Sequence, residues 1–157
     1  MSMKFLPLSS PVGTLTALAD DHNLYRLDFG EINHFGATIG SNAVIDAVEN
    51  QLSEYFDGRR REFDIPLALH GSTFQQAVWA GLLQIPYGQT VGYAELAAII
   101  GKPGAARAVG NANHANPICV IVPCHRVITS NGGLGGYGGG TEVKKRLLAL
   151  EGVNLFS

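Results

Sequence analysis

Residues 93–126 read YAELAAIIGKPGAARAVGNANHANPICVIVPCHR, and this stretch decides the architecture. Two short helices are predicted, about 93–100 and 105–115, joined by Gly101-Lys102-Pro103-Gly104, whose glycines and proline stop one helix before the next begins. That is helix-turn-helix spacing, a weak signal alone because helix pairs with glycine turns are common in cores. The apolar run Ile118-Cys119-Val120-Ile121-Val122 then predicts a buried strand, and Pro123-Cys124-His125-Arg126 stands at its exit.

The second helix carries little side chain. Ala105, Ala106, Ala108, Gly110, Ala112 and Ala115 leave Arg107, Asn111, Asn113 and His114 as its polar residues. A reader of the major groove needs several long side chains for base edges, and this helix has one. The minor groove, about 6 Å wide, suits a bare helix that brings its backbone close while Arg107 probes the base stack. Small residues serve equally well for tight packing inside a domain.

Buried free cysteine is common as plain packing, and Cys119 fits that role. Cys124 does not, because Pro123 breaks any strand ladder and two strongly polar residues follow. A thiol beside a base, with rigid support and solvent access, is a nucleophile's setting. Neighbouring residues diverge in both strands and helices, so reaching His125 from the sulfur takes a turn or a bridging water. Glu151 is a candidate to orient the imidazole. The thiolate is the attacking form, so the site is expected to lower the thiol pKa, with Arg126 or a helix N-terminus as possible help.

The chain of 157 residues is 46% hydrophobic and 15% charged, a globular composition large enough for a real core. Two cysteines five positions apart and no apolar leader give no disulfide scaffold and no export signal, so a cytoplasmic location is expected. No run approaches the roughly 18 apolar residues of a membrane span. His22, His34, His70, His114 and His125 are scattered and neither cysteine lies in a ligand pair, so no metal is expected. Residues 1–70 carry five cations against ten acids, whereas residues 71–157 carry six against three. A mildly basic C-terminal half can meet a polyanion through few phosphates.

Residues 4–9, 14–19 and 23–29 read as strands of an antiparallel meander. A helix follows with Val44, Val48, Leu52, Tyr55 and Phe56 on one face, a cap at Ser41-Asn42 and a stop at Gly58. Arg59-Arg60-Arg61 is expected as an exposed loop, and residues 63–67 as extended chain. A domain boundary is expected at His70-Gly71, dividing 1–70 from 71–157. Ser72-Thr73-Phe74-Gln75 has capping-box spacing and opens a helix whose stripe is Phe74, Ala77, Val78, Leu82 and Ile85, with Trp79 as packing. Residues 132–140, nine positions of which seven are glycine, hold Tyr137 as a possible lid over a planar ligand. Thr141 caps a final helix with Lys144, Leu147, Leu148 and Leu150. The fold class is therefore an α/β N-terminal domain, antiparallel sheet plus helix, followed by a mostly α C-terminal domain with a winged-helix-like helix-turn-helix.

Pro123-Cys124-His125-Arg126-Val127, the preceding Asn116-Pro117, residues 105–110 and the glycine-rich Tyr137 loop together resemble the O6-alkylguanine-DNA alkyltransferases, over about residues 74–152. The resemblance implies that Cys124 takes the alkyl group from O6 of guanine in duplex DNA, with O4 of thymine as a further substrate. The thioether formed has no easy exit, so one protein is consumed per lesion and no cofactor is needed. By the same resemblance His125, Glu151 and a water activate Cys124, and Arg107 fills the gap left by the extruded base. Tyr93 crowds the flanking phosphate and donates a proton toward the guanine, on a DNA-facing surface that includes Ala106 and Asn111. The Cys124 and Val127 carbonyls read the exocyclic amine, Tyr137 and Gly138 line the pocket, Asn116 is a hinge, and Lys144 packs nearby. The protein is expected to be monomeric in the absence of DNA. Cys119 stands where some relatives have proline, and Gly138 where some have serine, which leaves the preference for bulky alkyl groups open. The first domain lacks the zinc ligands of some relatives. A non-catalytic alkyltransferase-like lesion binder and a Cys-His hydrolase unrelated to DNA are the alternatives, the first opposed by Cys124 and the second by the bare helix.

Overall fold

The computed structural model describes residues 2–129 and 137–153. Two compact units emerge, Met1–His70 with Pro117–Cys119, and Gly71–Asn116 with Val120–Ser157.

In the first unit the meander forms as expected from β1 (Lys4–Leu8), β2 (Leu15–Ala19) and β3 (Leu24–Phe29), with a fourth strand, β4 (Thr38–Ile39), too short to show in the sequence. The sheet order is β3-β2-β1-β4, antiparallel except for β1 with β4. The Met3 and Phe5 carbonyls accept hydrogen bonds from Thr38 and Gly40, so this row of β1 faces β4. Pro7 is next in that row, beyond the end of β4, where its missing N–H leaves no ladder bond unmade.

Helix α1 (Ala43–Phe56) starts where Asn42 Oδ1 accepts from the Ile45 N–H at 2.9 Å, while Asn42 Nδ2 donates to the Ala19 carbonyl. It ends at Asp57, and Gly58 follows with φ +76°, a backbone that glycine adopts without strain. Val44, Ile45, Val48, Leu52 and Tyr55 are its buried face. Arg59 and Arg61 are exposed, and Arg60 is partly held by Glu54 at 2.8 Å. Residues 63–67 form no strand; only Leu67 bridges to Leu24, next to Pro66, which has no N–H to donate.

The run 118–122 is buried, but it is not a strand. One bridge joins Ile118 to Leu27, and then Val120 takes φ +67°. A left-handed β-branched residue cannot continue a pleated strand, and among the described residues Val120 is the only non-glycine with positive φ.

In the second unit α2 (Thr73–Leu82) opens with the full capping box: Ser72 Oγ accepts from the Gln75 N–H, and Gln75 Oε1 accepts from the Ser72 N–H. Its buried face is Val78, Trp79, Gly81 and Leu82, rotated from the expected stripe so that Ala77 is exposed. A Cβ at Gly81 would lie 2.8 Å from Ile100 and 3.0 Å from Leu96, so glycine permits the close approach of α2 to α3 (Tyr93–Ile99). The turn after α3 leads into α4 (Ala106–His114), which completes the helix pair. Trp79 Nε1 donates to the Ala112 carbonyl at 2.9 Å, so the tryptophan joins α2 to α4 as packing and as a hydrogen bond. Strand β5 (Val91–Gly92) pairs in parallel with β6 (Val127–Ile128), and α5 (Thr141–Leu150) closes the unit. Among the described residues no helix is long and apolar enough to cross a membrane.

Candidate active site

Cys124 begins a single 3₁₀ turn, Cys124–Arg126, in place of a strand exit. Pro123 (φ −82°, ψ 65°) reverses the chain, the Cys124 N–H donates to the Val122 carbonyl at 2.8 Å, and the Arg126 N–H to the Pro123 carbonyl at 3.0 Å. From the end of α4, Asn116 Nδ2 donates to the Val122 carbonyl at 2.8 Å. The turn is thus clamped on both sides, and it projects His125 and Arg126 toward the end of α5.

There Glu151, 4% exposed, receives both residues. Arg126 donates from Nε to Oε1 at 2.8 Å and from Nη2 to Oε2 at 3.0 Å, a two-pronged bond. Its Nη1 donates to the Ile85 carbonyl at 2.7 Å, and the guanidinium lies 5.8 Å from the Tyr87 ring centre. His125 Nε2 is 2.8 Å from Glu151 Oε2. Burial alone would raise the carboxyl pKa, but the His125 and Arg126 hydrogen bonds outweigh it and bring Glu151 down to about 2. A permanent carboxylate accepts a hydrogen bond from Nε2–H, so the imidazole tautomer leaves Nδ1 as a bare acceptor. Nδ1 is buried and makes no hydrogen bond within the described protein. Burial lowers the His125 pKa despite Glu151, with Arg126 and Lys144 adding to the fall, so the ring rests neutral.

The thiol differs from expectation. Cys124 is only 7% exposed, and burial pushes its pKa up, opposed by the Asn116 and Tyr137 side chains and the Lys144 charge. No resting thiolate is held. Arg126 is directed away from the sulfur, each of its three nitrogens donating to Glu151 or to the Ile85 carbonyl. Lys144, wholly buried, donates to the Val127 carbonyl at 2.6 Å and lies 5.8 Å from the Tyr137 ring centre. Burial takes its pKa down to about 8, partly offset by Cys124. Tyr93 is half-buried, and burial followed by the nearby Cys124 charge raises its phenol.

Cys124, His125, Glu151, Tyr93, Asn116, Val127, Tyr137 and Lys144 therefore share one neighbourhood. Gly138 is exposed and a side chain there would meet nothing. The glycines at 132–136 lie outside the described residues. Arg107 and Asn111 lie on another face: with Ala108, His114 and Ala115 they form the exposed stripe of α4, and Ala106 is half-buried at its start. Tyr93 links the two regions, since its ring lies 3.7 Å from where a Cβ on Gly110 would stand. Two contacts of the site went unread in the sequence. One is the Arg126 fork on Glu151, whose partners are 25 residues apart; the other is that of Asn113, buried on α4 with Nδ2 3.5 Å from the Cys124 carbonyl. Among the described residues no group of three or more His, Cys, Asp or Glu could hold a metal.

Two family models match the chain: the 6-O-methylguanine DNA methyltransferase ribonuclease-like domain over residues 3–69, and the DNA binding domain of the same methyltransferase over residues 73–153. The chain is 50% identical over 153 residues to a methylated-DNA–protein-cysteine methyltransferase of Mycolicibacterium paratuberculosis, covering 95% of this chain and 92% of that one. It is 43% identical to the Methanosarcina barkeri protein of the same name, covering 94% and 96%. The structure is similar to Mycobacterium tuberculosis OGT in complex with DNA, with TM-score 0.88, 47% identity, and 94% and 92% of the two chains covered.

Proposed function

The chain belongs to the 6-O-methylguanine DNA methyltransferase family, and on that premise we propose how its own residues carry out the transfer. The protein binds duplex DNA and repairs it by direct reversal, moving the alkyl group from O6 of guanine to one of its cysteines. Cys124 is that acceptor. The observation that carries the assignment is the buried chain Arg126–Glu151–His125, which leaves a bare, buried Nδ1 on the residue that follows Cys124 in the reactive turn.

The thiol proton passes to His125 Nδ1 through a water, and the sulfur attacks the alkyl carbon. The sulfur–carbon bond forms as the carbon–oxygen bond breaks, its electron pair remaining on the guanine. The guanine then takes one proton. Tyr93, whose raised pKa keeps the phenol protonated, supplies it. The imidazolium is stabilised by Glu151 until its proton returns through solvent to the Tyr93 phenolate, so the sum is thiol plus alkylguanine giving thioether plus guanine, with no electrons left over and no co-reactant.

The exposed stripe of α4 carries Arg107 and Asn111 toward the minor groove, with Ala106 and Ala108 keeping the approach close. Extruding the base costs a few kcal/mol, offset by Arg107 in the space it leaves. The protein acts as a cytoplasmic monomer until it meets DNA. A lesion binder without chemistry is not favoured, because such a protein has no use for a nucleophile held on this relay.

Mass spectrometry after mixing with duplex containing O6-methylguanine tests the reading. One methyl group on the Cys124 peptide is expected, with none after Cys124→Ala. An unmodified Cys124, or transfer that survives the substitution, would refute it.

A further inference from the structure

Glu151 is the first residue past the last turn of α5, where carbonyls lose their partners within the helix and chain ends fray. Its carboxylate must nevertheless hold Oε2 2.8 Å from His125 Nε2. The turn after α2 supplies the support. The Gln89 N–H donates to the Pro86 carbonyl at 3.1 Å and closes that turn, with Tyr87 inside it. Tyr87 Oη donates to the carbonyl of Leu150, the residue before Glu151, at 3.2 Å. The Arg126 guanidinium lies over the same ring, 5.8 Å from its centre. Two residues earlier the Ile85 carbonyl accepts from Arg126 Nη1 at 2.7 Å, and one residue later a Cβ on Gly88 would stand 3.1 Å from the Glu151 carbonyl oxygen.

One tight turn therefore touches both sides of the Arg126–Glu151 pair. Plain packing would need neither the hydroxyl nor the ring face, and here each meets a different side. We propose that Tyr87 is a positioning residue for the alkyl transfer: it ties Arg126 to the end of α5, so that the carboxylate stays seated on His125 Nε2 and the ring proton stays off Nδ1. Tyr87 acts through Glu151 and Arg126, not on the thiol or the base. The inference rests on Cys124 being the alkyl acceptor and His125 its base.

The test is the pH profile of single-turnover transfer from duplex carrying O6-methylguanine. Tyr87→Leu removes hydroxyl and ring together, and should slow the saturated rate about tenfold at pH 7 while the half-saturating concentration stays within about twofold. Tyr87→Phe keeps the ring over Arg126 and should lose about threefold. As pH rises the thiolate forms without help from a base, so both deficits should narrow by at least about half by pH 9. Glu151, Arg126 and Lys144 are the charged groups around His125; Lys144, with its pKa of about 8, titrates within this range in all three proteins, so the ratio of rates is what reports the relay.

A deficit equal at every pH marks a merely structural role and would overturn the inference, as would a leucine variant as fast as wild type or a loss carried by DNA affinity. Should Tyr87→Leu not fold, Tyr87→Phe decides by the same criteria: a deficit that narrows with pH supports the role, and an unchanged rate or a constant deficit overturns it. A wild type that transfers no methyl group to Cys124 would instead overturn the alkyl-transfer reading beneath.

Discussion

Glu151→Gln keeps the shape of the relay and removes its charge. The carboxylate accepts three hydrogen bonds at 2.8–3.0 Å, and its pKa stands near 2 against an ordinary value of 4.5. A shift of about 2.5 units corresponds to roughly 3 kcal/mol at neutral pH, the same order as the 3–5 kcal/mol lost when one partner of a buried ion pair is removed. Arg126 would remain buried opposite a neutral amide. For a chain of this size, about 3 kcal/mol lowers Tm by roughly 6–12 °C. The glutamine NH₂ can also donate to His125 Nε2 and drive the ring proton onto Nδ1, where the base is needed. Transfer should then slow by about 10²-fold or more. Because the folded pKa is the lower one, this stabilisation is complete above about pH 4.5 and fades as pH falls toward 2. The stability gap between wild type and variant, measured by urea unfolding, should narrow across that window. A loss under about 1 kcal/mol at pH 7, or a gap unchanged at pH 2.5, would refute the account of the relay.

Lys144→Met should abolish an alkaline response. The wild-type lysine has its pKa lowered to about 8 from 10.5, so the unfolded chain binds the extra proton between those values and wild-type stability should rise as pH climbs from 8 toward 10.5. A methionine variant that rises equally would place the titration elsewhere. Arg107→Ala should slow repair in duplex DNA by about tenfold or more while leaving reaction with free O6-methylguanine base nearly unchanged, because the arginine acts on the base stack. Equal loss on both substrates, read by the same mass shift on Cys124, would contradict that role.

Local signals were legible in the sequence where cause and effect lie within one turn. Ser72 and Gln75 announce α2, Asn42 announces α1, and the alternation of residues 4–29 gives the sheet. The run 118–122 misleads for a physical reason: β-branched residues favour strands, yet Val120 is held left-handed by its surroundings, which propensity does not record. At the site, Cys124 and His125 declare themselves by adjacency. The direction of the thiol pKa does not, since burial is a property of the whole unit. Nor does Asn113, which lies two positions after the exposed Asn111 and one before the exposed His114 yet is turned inward on α4.

The enclosure of Cys124 has a bearing on time. A protein that works once must remain unspent until a lesion arrives, and oxidation of its thiol in the interval would spend it without repair. Sulfur oxidation follows thiolate character and access. With its proton retained by burial and only 7% of its surface open, Cys124 offers oxidants little of either. The proton acceptor stands ready at His125, but the electrophile must be brought in as a base turned out of its helix. Reactivity is thus postponed to the moment of docking, and the same burial that makes the thiol a reluctant nucleophile shields it while it is unused.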